Sequence, residues 1–71
     1  MPQVTAEKLK AYFQAMPKAL SKVLGKALRD FGYTSITDEW VEAEIRRLLD
    51  GGEAKGGPSK FLVGWLKDEI D

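Results

Sequence analysis

Apolar residues recur at spacings of three and four along four stretches of the chain, and each stretch is bounded by a residue that starts or stops a helix. Leu9, Tyr12, Phe13 and Met16 mark the first stretch. Thr5 stands at its N-cap, with Val4 and Leu9 spaced to close a hydrophobic staple across it, so a helix is predicted over about 5–15. Met16-Pro17 ends it, because the residue before a proline disfavours helical backbone while proline fits the first position of a new helix.

The second stretch has the clearest pattern. Leu20, Val23, Leu24, Ala27, Leu28 and Phe31 gather on one side of a helix over 17–31, and Lys18, Lys22, Lys26 and Arg29 gather on the other. Gly25 lies beside the basic side and reads as a glycine tolerated at the surface. Gly32 is placed to end this helix in a left-handed conformation, with Tyr33-Thr34-Ser35 as a short connection.

Thr37 caps the third helix, predicted over 37–50, with the staple pair Ile36 and Val41 around it. Asp38 and Glu39 suit the positive end of its dipole, Arg46 and Arg47 suit the negative end, and Glu42 and Arg46 form an i,i+4 pair. Its apolar side carries Trp40, Val41, Ile45, Leu48 and Leu49. Four glycines and a proline follow between Gly51 and Pro58, a composition that breaks a helix, so a glycine-rich loop is expected at 51–57. The last helix, over 58–70, turns Phe61, Leu62, Trp65, Leu66 and Ile70 inward, with Gly64 allowing a close approach of another helix.

No stretch alternates as a strand would. The pattern therefore predicts an all-α fold: a compact array of four short helices in one small domain spanning 1–71, packed orthogonally or as an irregular bundle. Its core is expected to hold Leu9, Phe13, Leu20, Leu24, Leu28, Trp40, Val41, Ile45, Leu48, Leu62, Trp65 and Leu66.

Composition narrows the chemistry. With 71 residues and neither cysteine nor histidine, the chain lacks disulfides, thiolate nucleophiles and the commonest metal ligand and general base. Ser21, Ser35 and Ser59 have no histidine to activate them. Asp38, Glu39, Glu42 and Glu44, then Asp68, Glu69 and Asp71, read as solvated helix faces, and no calcium-loop spacing is present. The glycine-rich segment lacks the lysine a phosphate-binding P-loop needs after its last glycine, and it follows a helix instead of a strand. No catalytic residue, cofactor, metal or small-molecule substrate is expected.

The longest purely apolar run, Phe61-Leu62-Val63, cannot cross a bilayer, and neither a secretory leader nor a lipidation motif is apparent. No membrane contact is expected, and the cytoplasm is the expected compartment.

Formal charge is zero, but it is unevenly spread. Residues 1–30 carry six bases and two acids, whereas residues 31–71 carry five bases and nine acids. Two functional classes follow. A protein-interaction or self-association module would use the unlike halves, with Tyr12 and Tyr33 as candidate interface residues. The alternative is nucleic-acid binding, with Lys18, Lys22, Lys26 and Arg29 lying along a phosphate backbone. The same four side chains would equally meet an acidic protein partner. A helix-turn-helix reading of the second and third helices fails on charge, because Asp38, Glu39 and Glu42 would lead the recognition helix toward phosphates.

Overall fold

The computed structural model describes residues 6–67, in four helices: α1 (Ala6–Ala15), α2 (Pro17–Phe31), α3 (Asp38–Leu49) and α4 (Gly57–Lys67). The proposed Val4–Thr5 cap, and Asp68, Glu69, Ile70 and Asp71, lie outside the described residues. The fold is an irregular four-helix bundle with a radius of gyration of 11.4 Å. α2 and α3 form its most extensive interface, α1 bridges α2 and α4, and α3 meets α4 only lightly.

The stops act as their residue types require. Met16 turns the corner with φ −140° and ψ 68°, and Pro17 opens α2. Gly32, at φ 138°, ends it: the amide of Tyr33 reaches back to the carbonyl of Leu28 at 3.0 Å, closing a left-handed cap. Thr37 Oγ1 accepts from the Trp40 amide at 3.0 Å, the expected N-cap of α3. Gly51, at φ 97°, ends α3 as Gly32 ends α2, with the Gly52 amide donating to the Arg47 carbonyl at 2.9 Å. α4 starts at Gly57, one residue earlier than the pattern suggests.

The core is Phe13, Leu20, Leu24, Leu28, Val41, Ile45, Leu48, Leu62 and Leu66, with Leu9, Ile36, Phe61 and Trp65 packed half-buried against it. Three expectations need correction. Trp40 is not a core residue: α3 buries the line Val41–Ile45–Leu48, and Trp40 lies roughly 100° off that line, leaving it 36% exposed. Val23 and Phe31 stand at 58% and 66% exposed, and Ala27 is exposed as well. Finally, Gly25 is buried while Gly64 is open, the reverse of the roles the pattern suggests.

The differences on α2 share one cause. α2 buries Leu20, Ser21, Leu24, Gly25 and Leu28, so its packed side is rotated by about 60° from the centre of its apolar side at roughly 100° per residue. Ser21 and Gly25 are small, and α3 comes in over them. A Cβ on Gly25 would lie 2.5 Å from Asp38 Oδ1 and 3.1 Å from Arg29 Nη1. Arg29 fastens this seam by donating to Asp38 Oδ1 at 2.9 Å and to the Ile36 carbonyl at 3.0 Å.

A second polar tie holds the glycine-rich loop and the start of α4. Arg47 grips Glu44 through two hydrogen bonds, of 2.9 and 2.6 Å, and donates to the Glu53 carbonyl at 2.7 Å. Buried Ser59 donates to the same Glu44 carboxylate. The Arg47 hydrogen bonds hold Glu44 below the usual carboxylate range; burial opposes this, and the Ser59 hydroxyl and the charges of Arg47 and Lys55 add to it.

Two outcomes follow. Gly25→Leu forces α3 away from α2 and lowers stability by about 1–3 kcal/mol, the usual cost of overpacking, as denaturant unfolding would show. Because folding lowers the affinity of Glu44 for its proton, its contribution is complete above the unfolded-state value near 4.5 and is lost as pH falls through the lower folded-state value. Glu44→Gln is therefore less stable than the parent at neutral pH, and the gap narrows as the pH falls below about 4.5. A gap that stays constant over that range excludes this coupling.

Candidate functional site

The basic side of α2 is largely engaged. Arg29 is part of the α2–α3 seam, Lys26 pairs with Asp30 at 2.6 Å, and Lys18 lies 4.0 Å from Glu42. Lys22 is exposed and makes no ion pair among the described residues. Lys18 and Lys22 share the wall of a small cleft with Asp38, Glu39 and Glu42, so acids of α3 run along the same edge. A phosphate backbone laid on Lys18 and Lys22 would meet those carboxylates too.

Tyr12 is 43% exposed on α1. Tyr33 is half-buried in a cluster of rings: it stacks on Phe31 at 5.9 Å between centroids and meets Phe61 edge-on at 6.0 Å. Phe31 in turn packs on Phe61 at 4.5 Å, and Phe61 lies 6.1 Å from Trp65. The structure thus joins Tyr33 to three aromatic residues that the spacing alone had assigned inward, and leaves Tyr12 apart from them.

This cluster borders a shallow groove of about 520 Å³ on α4, lined by Gly57, Lys60, Phe61, Gly64 and Trp65. Its position explains why it is open. α4 buries Ser59, Leu62 and Leu66, and the groove residues point the opposite way at roughly 100° per residue. Phe61 and Trp65 stand at the margin between these two sides, half-buried against the core, while Gly57, Lys60 and Gly64 are exposed. A Cβ placed on Gly64 would meet nothing within 4 Å, so among the described residues nothing packs on this glycine. Gly57 is different: a Cβ there would overlap the Tyr33 hydroxyl, and the bare backbone lets that ring lie against the start of α4. Beyond Phe31, Val23 and Ala27 continue the exposed apolar surface along α2 at i,i+4 spacing.

Two features could have exposed this surface in the sequence. The line Gly57, Phe61, Gly64 and Trp65 places aromatics and glycines on one side of a helix whose other side is already filled by Leu62 and Leu66. The apolar arc of α2 is also wider than one packed neighbour covers.

Catalytic chemistry finds no comparable setting. Among the described residues no three acidic, histidine or cysteine side chains converge to hold a metal ion. Ser59 and Glu44 are in contact, but a carboxylate held in its charged form by Arg47 is a weak base for that hydroxyl. A cleft of about 670 Å³ between the ends of α1 and α3 is lined by Arg46 and Arg47, which are already paired with Glu42 and Glu44. Arg46 also lies over the Phe13 ring, 5.2 Å from its centroid. No described helix is long and apolar enough to cross a membrane.

No family model, no curated protein and no solved structure matches this chain, so its own surface carries the functional reading.

Proposed function

We propose that this chain is a non-catalytic protein-interaction module that docks a partner on the outward side of α4, over Phe61, Gly64 and Trp65 and against Phe31. The observation that carries this reading is an open groove on α4, lined by Gly57, Lys60, Phe61, Gly64 and Trp65, beside the 66% exposed Phe31. Phe61 and Trp65 are half-buried, each with part of its ring against the core and part left at the groove. Aromatic residues at a concave site, whether exposed as Phe31 is or half-buried as Phe61 and Trp65 are, commonly anchor protein interfaces.

Gly64 adds a second support. A glycine inside a helix costs roughly 0.5–1 kcal/mol relative to alanine, and none of the described residues uses the space it leaves. That space is useful to a side chain from outside. Lys18, Lys22 and Lys26 are exposed on the neighbouring helix, where Lys18 lies 4.0 Å from Glu42 and Lys26 pairs with Asp30. The alternative of nucleic-acid binding through those lysines gains nothing from their surroundings, since Asp38, Glu39 and Glu42 share their cleft.

Gly64→Leu tests the proposal without endangering the fold. Leucine is a far better helix former than glycine, so the variant unfolds at higher denaturant, with a gain of about 0.5–0.8 kcal/mol. The same side chain fills the groove. In an amide-resolved NMR titration, a leucine-faced helical peptide with glutamine flanks should shift Phe31, Lys60, Phe61, Gly64 and Trp65. Gly64→Leu should bind it about tenfold or more weakly. Undiminished binding by Gly64→Leu contradicts docking at this groove, and salt-sensitive shifts on Lys18 and Lys22 with duplex DNA would carry the alternative instead.

A further inference from the structure

Resting on the docking surface proposed above, we infer that residues 52–60 form a strap that opens on its own. The Glu44–Arg47 pair latches this strap shut and so presents the groove.

The strap has little apolar hold of its own. Ser59 is its one buried side chain, Ala54 and Pro58 are half-buried, and Glu53, Lys55 and Lys60 are exposed. The large core residues of α4, Leu62 and Leu66, lie beyond it. α3 also meets α4 only lightly, so releasing the strap removes little from the core. Segments with few buried apolar contacts are the ones that open locally, below the cost of global unfolding.

Polar contacts close the strap instead, and they converge on one pair. Arg47 donates to the Glu53 carbonyl at 2.7 Å, and its own carbonyl accepts from the Gly52 amide at 2.9 Å. A Cβ on Gly52 would lie 2.6 Å from Arg47 Nη1, so the bare backbone lets the guanidinium pass over the strap. Glu44 fixes that guanidinium with two hydrogen bonds and also accepts from Ser59 at the start of α4. The groups facing Glu44 are Arg47 on its own helix and Lys55 and Ser59 on the strap. A neutral side chain at this position is a much weaker acceptor for all of them. Tyr33 lies against the strap at Gly57 and acts by packing, independently of Glu44.

Gly57 and Lys60 belong to both strap and groove, and Phe61 follows directly. A partner in the groove therefore needs the strap closed, and by linkage it holds the strap closed in return.

Amide hydrogen exchange on the intact chain tests this. The reporters are the amides of Gly52 and Lys60, each 2.9 Å from the carbonyl it meets, Arg47 and Gly56 respectively. Glu44→Gln should speed exchange at both by about tenfold or more, the size that a lost hydrogen bond to a charged group allows. Leu28 and Ile45 should change far less. The parent reads the latch without any substitution: corrected for intrinsic rates, Gly52 and Lys60 should lose protection relative to Leu28 and Ile45 as the pH falls below about 4.5. A saturating amount of the glutamine-flanked, leucine-faced peptide should slow Gly52, which lies outside the groove, by about tenfold or more. Equal acceleration at all four amides, or none, overturns the strap. A peptide that shifts Phe61 and Trp65 yet leaves Gly52 unslowed overturns its link to the groove. If the peptide shifts no groove residue, the docking surface falls and the link falls with it, while exchange in Glu44→Gln still decides the strap.

Discussion

The closeness of α2 to α3 at Gly25 governs the rest of the molecule. With hydrogen in place of a side chain, α3 can bring Asp38 directly over α2, where Arg29 meets it and also binds the carbonyl of Ile36. Ser21 extends the same narrow seam one turn earlier. Neither residue adds much apolar area. Their effect is to let Leu20, Leu24 and Leu28 reach a core shared with Val41, Ile45 and Leu48, at the expense of turning Val23, Ala27 and Phe31 outward. In a chain this small, few buried side chains are available, and the orientation of one helix decides which apolar residues are left over.

The left-over surface is not scattered. Phe31 ends α2 against Phe61 of α4, and through that contact the exposed edge of α2 meets the groove on α4. The cap at Gly32 places Tyr33 beneath both rings, and the bare backbone of Gly57 makes room for its hydroxyl. Arg47, Glu44 and Ser59 secure the start of α4 from the other direction. The groove is therefore held on a helix that is tied at its beginning, so a partner would meet a largely formed site and lose less ordering entropy on binding.

The helices were legible because their boundaries are local. Pro17, Gly32, Thr37 and Gly51 act through backbone geometry and hydrogen bonds within a few residues, and each stops or starts a helix as its type requires. The core was legible wherever an apolar residue stood near the middle of its helix's packed side, as at Leu24 and Ile45. It failed at the edges. Trp40 and Val23 are as apolar as their buried neighbours, and only the rotation of each helix against its partner decides their exposure. That rotation depends on which small residues two helices bring together, so Gly25 and Gly64 look alike in sequence and play opposite parts. The basic stripe was visible as a pattern, but its pairing with Asp38 and Glu42 depends on α3 folding beside it.

The most direct check of this rotation is the solvent exposure of individual methyl groups in the free protein, read from relaxation by a soluble paramagnetic agent. The Val23 methyls should relax strongly while those of Leu24, Leu28 and Val41 stay protected. Protection of Val23 equal to that of Leu24 would mean that α2 faces its neighbours differently, and both the seam at Gly25 and the exposed apolar surface would have to be abandoned.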